Sequence, residues 1–210
     1  MSYDECFTKL PQIETNRLIL RQITDSPSDG SDTLEFINDY DVYRYWGLYD
    51  EANDINGRHR PKKKTRLDYL YKSTLSEYHA RRELSWLMEL KDTHKVIGEI
   101  VLYDFHLHKQ ADIGYRINKE YWGKGFAPEA GQAMVKAAFE LLDLNRLQLR
   151  CFASNIGSIR VAEKLLFTRE GLIREGVIIN VVTDYYIYGM LKSDYVKQPI
   201  SDSIVQIRND

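Results

Sequence analysis

The 210-residue sequence predicts an α/β domain, a mixed sheet with helices on its faces. Three observations point there. The hydrophobic period switches along the chain. It alternates where Leu18, Leu20 and Ile23 are set against Arg17, Arg21 and Gln22, and it turns helical where Ala130, Ala133, Met134, Ala137, Ala138 and Leu141 form one stripe. The elements read this way follow the order β-α-α-β-β-β-α-β-α-β-β without an internal repeat. Finally, 43% of the residues are hydrophobic and 12% aromatic, enough to build a core and to argue against global disorder.

Taken in order, ETNRLILRQIT (14–24) reads as the first strand, and TDSPSDGSD (24–32) as a turn-rich connector supplying N-caps for the helical LEFINDY. DVYRYWGLYD (41–50) is crowded with aromatics and fits neither period alone. EANDINGRHRPKKKTR reads as a polar loop, and TRLDYLYKSTLSEYHARRE (65–83) as a helix with Leu67, Leu70, Tyr71 and Leu75 on its apolar stripe. Strands follow at LSWLMELKD (84–92) and KVIGEIVLYDF (95–105), joined by a hairpin-like turn, and at ADIGYRIN (111–118), where Ile113, Tyr115 and Ile117 share a face. A helix then runs through Leu142, NRLQLRCFA (145–153) is a strand, and NIGSIRVAEKLLF (155–167) is a helix. Two closing strands span about 169–179 and 181–191. One domain over 1–195 with a polar tail at 196–210 is the expected organisation.

A net charge of −2 argues against a general affinity for nucleic acid or membrane surfaces. MSYDECFTKL lacks the basic-then-apolar pattern of a secretory leader, and no apolar run approaches the ~18 residues of a membrane span. Cys6 and Cys151 have no CxxC companion, so neither a disulfide framework nor a cysteine zinc site is expected. A reducing cytoplasm is the expected compartment. His106 and His108, at i and i+2 without a third ligand, make no metal site, and none is expected elsewhere.

The sharpest local feature is YWGKGFAPEA (121–130), a glycine turn set against a helix start. Glycines permit positive φ and close backbone approach. A helix N-terminus offers unpaired N–H groups and about half a positive charge. Pro128 suits a first helical position, where a missing N–H leaves nothing unpaired. Together these make a backbone site for an anion such as a pyrophosphate, to which Lys124 can add a point charge. A plain tight turn explains the same residues. The spacing fits neither rival phosphate motif: Pro128 stands where a dinucleotide fingerprint wants its third glycine, and Gly125 where a P-loop wants Ser or Thr.

WGKGFA resembles the acetyl-CoA pyrophosphate loop of the GNAT superfamily of N-acetyltransferases, with the pattern (Gln/Arg)-x-x-Gly-x-(Gly/Ala). EYWGKGFAPEA is similar to the RimJ/RimL-type branch, which acetylates ribosomal-protein N-termini and tolerates a Trp in the first position, here Trp122. ETNRLILRQIT, KVIGEIVL and ADIGYRIN resemble that branch's opening strand, central hairpin and cofactor-carrying strand. SNIGSIRVAEKLLF follows N-x-x-S-x-x-x-x-E-K-x-x-F, and D-x-x-x-Y occurs as Asp184 to Tyr188, so the likeness spans roughly 14–195. It implies a mostly antiparallel, twisted sheet whose fourth and fifth strands splay apart to admit the pantetheine arm.

By matching position, the resemblance implies that backbone groups of Tyr115, Arg116 and Ile117 meet that arm, one N–H of Arg116 or Ile117 meeting the oxyanion. Amides of Trp122, Gly123, Lys124, Gly125, Phe126 and Ala127 would hold the pyrophosphate, and Asn155 would touch the pantetheine, a role compatible with capping a helix. The tyrosine acid of many members is absent, because that position is Ala162. The branch's serine, Ser158, would instead donate to the leaving thiolate, unless it is only a local cap. Leu166 stands where the family usually has glycine.

The implied reaction is direct attack of an amine on the thioester with both substrates bound. At pH 7, deprotonating an α-amine of pKa near 7.8 costs about 1.1 kcal/mol, against about 4.6 kcal/mol for a lysine near 10.4. Glu99 on the central strand and Glu175 near the closing strands are the candidate bases, acting through water. Tyr40, Tyr43, Tyr45, Trp46 and Tyr49 fall where the family shapes its acceptor cleft, though ordinary packing accounts for them equally. The basic run 58–66 reads as a solvated loop. The expected partners are acetyl-CoA and a primary amine, a peptide N-terminus or a small amine such as a polyamine or an antibiotic, in a monomer or homodimer. A non-catalytic acyl-CoA-binding module shares the same cofactor motifs.

Overall fold

A computed structural model describes residues 3–45, 66–107, 109–178, 181–201 and 204–208. Trp46, Tyr49, His108 and all but the last residue of the 58–66 run lie outside them. Nine strands form one sheet: β1 (Gln12–Glu14), β2 (Leu18–Arg21), β3 (Glu83–Leu90), β4 (Val96–His106), β5 (Gln110–Ile117), β6 (Arg146–Phe152), β7 (Thr168–Ile178), β8 (Val181–Leu191) and β9 (Gln206–Arg208). Their spatial order is β7-β8-β6-β5-β4-β3-β2-β1-β9. Every pair is antiparallel except β5 with β6, and that pair holds only through Gln110–Arg146, Ala111–Leu147 and Asp112–Gln148. Beyond Asp112, β5 keeps β4 on one edge and β6 keeps β8 on its far edge, but the two no longer meet. The implied splay is therefore present, between the fourth and fifth strands of the sequence reading.

Helices cover both faces. α1 (Tyr3–Cys6), α2 (Pro27–Ile37), α3 (Tyr40–Tyr43) and α4 (Arg66–His79) precede the central hairpin. α5 (Phe126–Lys136), continued by a π-helical turn at Ala137–Leu141, and α6 (Ile156–Lys164) flank β6, and α7 (Lys192–Tyr195) follows β8. Adjacent residues of β3 face opposite layers. Trp86 and Met88 join the main core with Ala130, Met134 and Leu147, whereas Leu87 joins Phe36, Ile37, Val42 and Val96 beneath α2. This explains the nearly unbroken apolar run of β3, which is covered on both sides.

Two expectations are revised. The connector 24–32 contains the first turns of α2, which begins at Pro27 with Ser26 as N-cap, because proline at N1 and a serine cap suit a helix start better than a turn. The polar stretch 196–210 includes β9, paired with β1, and Val205 beside it is fully buried. α2 is fastened by Arg21, whose guanidinium meets Asp29 at 2.6 and 2.8 Å and also bonds Glu89 on β3. Such a two-pronged contact fixes the helix over β2 and β3.

At the end of α6 the Leu166 N–H bonds the Glu163 carbonyl and the Phe167 N–H bonds that of Ala162, both at 3.0 Å, the paired bonds of a Schellman turn. Its left-handed position is Leu166, at φ 64° and 63% exposed. A Cβ there costs about 1–2 kcal/mol, part of which a glycine returns as chain entropy. Leu166→Gly is therefore expected to stabilise the fold by roughly 1 kcal/mol, read as a rise of about 2–4 °C in Tm.

Candidate functional site

The splay opens a channel of about 620 Å³. β5 supplies Tyr115, Arg116 and Ile117 to its wall. The following turn supplies Trp122, Gly123, Gly125, Phe126 and Ala127, and Asn155 and Ser158 line it from the start of α6. The sequence-predicted cofactor residues are thus brought together, except that Lys124 is not part of the lining and sets its Nζ 5.0 Å from the centre of the Tyr121 ring.

The turn owes its shape to two residues at positive φ, Gly123 at 74° and Gly125 at 85°. Gly125 is the N-cap of α5, so Phe126 is N1 and Pro128 falls at N3, not at the first position. Pro128 still removes no helical bond, since the first N–H groups of a helix have no partner within it. Residues of that first turn line the channel, where such N–H groups and the positive helix end suit an anion. Three contacts brace the turn. The Trp122 indole N–H donates to the Ile117 carbonyl at 2.8 Å. Arg17 donates to the Lys124 carbonyl at 3.0 Å while lying 4.2 Å from the centre of the Phe126 ring. Glu129, in the first turn of α5, takes hydrogen bonds from Thr15 and from both the backbone and guanidinium of Arg17 at 2.6–2.8 Å. No local signal marks Arg17 as a brace, because its partners lie more than 100 residues away.

Asn155 accepts the Ser158 N–H at 3.1 Å and so caps α6. The Ser158 hydroxyl is in turn met by the Tyr115 hydroxyl, donating at 3.1 Å. Ala162, the position to which the resemblance assigns a tyrosine acid, is fully buried. Cys151 also lines the channel, but burial pushes its thiol up to about 12, away from any role as a nucleophile. Tyr45 closes the wall near α3, its ring 5.6 Å from that of Phe152.

The two candidate bases are placed differently. Glu99 is buried, ion-paired to Arg116 at 2.8 Å across β4 and β5, and does not line the channel. Glu175 is exposed in an irregular stretch of β7 at φ 47°, where its N–H donates to Asp184, and it too lies outside the lining. Among the described residues no cluster of three or more His, Cys, Asp or Glu side chains could hold a metal ion, and no helix is long and apolar enough to cross a membrane.

Glu83, which sequence reasoning passed over, lies on the same face of the sheet as Glu99. Burial raises its carboxyl to about 7, the Glu99 charge adds to the rise and Arg116 opposes it. A raised carboxyl pKa stabilises the fold at low pH, and that contribution is lost as pH rises from the unfolded value near 4.3 through 7. Glu83→Gln is expected to raise Tm at pH 8 and to change it little at pH 4. Melting curves at both pH values decide this, and an equal shift at both would show that the charge is immaterial.

The acetyltransferase (GNAT) domain family matches residues 17–168. The chain is 33% identical to an uncharacterized N-acetyltransferase of Bacillus subtilis, YoaA, over 187 residues, 87% of this chain and 97% of that protein. An acetyltransferase (GNAT family) structure from Bacillus anthracis superposes with a TM-score of 0.69 at 24% identity, over 87% of this chain and 99% of that one. A spermidine N-acetyltransferase from Vibrio cholerae, solved with CoA and spermine, gives 0.67 at 22% identity, over 85% and 98%. At these identities the two structures speak for the fold alone. The splayed sheet, the glycine turn and a relative matched over nearly its whole length converge: the chain belongs to the GNAT family and is an acetyl-CoA-dependent N-acetyltransferase.

Proposed function

We propose that the acceptor is the α-amine of a protein N-terminus, as in the RimJ/RimL-type branch, and that acetyl-CoA lies along the splay with its pyrophosphate over Gly123–Ala127. The observation that carries the acceptor is the charge of the channel wall. Among its described lining residues Arg44, Arg116, Arg150, Arg160 and Lys164 are basic, and Asp41 alone is acidic. Asp41 is ion-paired to Lys119, while nearby Asp104 and Asp112 both meet Arg150. A polycation such as a polyamine finds little uncompensated negative charge there, whereas a peptide terminus presents a single amine.

Acetyl-CoA supplies the acetyl group as a thioester. The ammonium first gives up one proton, at a cost of only about 1.1 kcal/mol for an α-amine at pH 7. As the C–N bond forms and the C–S bond breaks, the nitrogen loses a second proton, matched by the one that arrives on sulfur. Glu99 and Glu175, set back from the channel, would assist only through water. Ser158, facing the channel from the first turn of α6, would donate to the departing sulfur.

Two measurements test this. With acetyl-CoA, free-amine peptides of varied N-terminal sequence should release CoA thiol, and the same peptides with a blocked N-terminus should not. Faster turnover of spermidine would overturn the acceptor, and acetyl-CoA binding without turnover across both panels would mark a non-catalytic acyl-CoA module. For the cradle, Gly125→Val forces a β-branched residue to φ 85°. It should weaken acetyl-CoA binding about tenfold, the strain being of order 1–2 kcal/mol, while unfolding stays cooperative. Unchanged affinity by calorimetry would show that the turn does not cradle the cofactor.

A further inference from the structure

The contact between Tyr115 and Ser158 bears on which way the serine proton points. A serine hydroxyl carries one proton and two acceptor sites. Left to itself in a helix's first turn, it commonly turns to the carbonyl four residues earlier. Here Ser158 makes no bond to that carbonyl, on Ser154, which accepts the Ile156 N–H at 3.1 Å, and one acceptor site of Ser158 Oγ takes the Tyr115 proton at 3.1 Å. Burial raises the Tyr115 pKa, so the phenol keeps a proton to give. Both residues line the channel, and the Asn155 side chain holds the Ser158 N–H.

We infer that Tyr115 is a positioning residue that sets the polarity of Ser158, turning the serine O–H away from β5 and into the channel. Accepting a hydrogen bond also makes the serine a stronger donor, because successive hydrogen bonds polarise one another. Tyr115 itself neither gains nor loses a proton. The inference rests on the proposed role of Ser158 as donor to the leaving sulfur, but not on which amine attacks.

The test is a double-substitution cycle, run with an α-amine peptide, or with spermidine if that proves the faster acceptor. Tyr115→Phe keeps the ring and removes the hydroxyl. It should lower kcat about tenfold, the scale of one hydrogen bond, and leave the acetyl-CoA Kd and the amine KM within twofold. Ser158→Ala should lower kcat at least as much, and the double variant should be no slower than Ser158→Ala alone, because the tyrosine acts only through the serine. If Ser158→Ala is impaired and Tyr115→Phe is not, or if the two losses multiply, the inference fails while the role of Ser158 stands. If Ser158→Ala turns over at the wild-type rate, the role of Ser158 fails first and the inference with it. Loss of acetyl-CoA binding or of cooperative unfolding in Tyr115→Phe would make Tyr115 a packing residue, which also overturns the inference.

Discussion

The separation of β5 from β6 after three residue pairs is the constraint on which the site depends. Strand edges inside a protein must find partners for their N–H and C=O groups. Here two edges diverge in the middle of a nine-stranded sheet, and an extended ligand can meet both. At the fork, Asp112 takes hydrogen bonds from Gln148 at 3.2 Å and from Arg150 at 2.6 Å, joining the strands at their last paired position. Burial raises the Asp112 pKa, the opposing pull of Arg150 notwithstanding, which marks the fork as a desolvated junction. Everything else in the site is arranged around that opening, with the glycine turn at the end of β5 and the start of α6 following β6.

Holding the turn open is a second requirement, met from a distance. Two glycines at positive φ give the loop its shape but no rigidity. Arg17 supplies it, reaching from the start of β2 to the Lys124 carbonyl and the Phe126 ring, with Glu129 holding its guanidinium. The residue just before β2 therefore braces the anion turn more than 100 residues later. A carboxylate in the first turn of α5 also suits the helix dipole, so Glu129 serves both the helix and the brace.

Much of this was legible in the sequence because it is local. The elements follow from hydrophobic period, and the turn follows from glycine spacing before a helix start. The splay was reachable only through resemblance, since nothing in ADIGYRIN or NRLQLRCFA announces where their pairing stops. The start of α2 was misjudged because Ser26 and Pro27 serve a turn and a helix start alike. The brace on Arg17, the Glu83–Glu99 proximity and the Tyr115 contact are tertiary, created by register between strands distant in sequence. Glu99 looked like a base on chain position alone, and its burial against Arg116 emerges only when β4 and β5 are paired.

Of the two departures from the pattern the resemblance implies, Leu166 is exposed and packing bears on Ala162. α5 and α6 pack so closely that a Cβ on Gly131 would come within 2.5 Å of Leu165, and Ala162 on α6 is fully buried. A tyrosine ring at 162 would have to displace that packing, at a cost typical of overfilled cores, about 1–3 kcal/mol. A hydroxyl facing the channel must therefore come from the turn before, where Ser158 stands at the open end of the helix. A short side chain there reaches less far than a tyrosine and has more rotameric freedom. On the proposed reading, Tyr115 compensates for this from the opposite wall, restoring through β5 the orientation that a long aromatic acid would carry in itself.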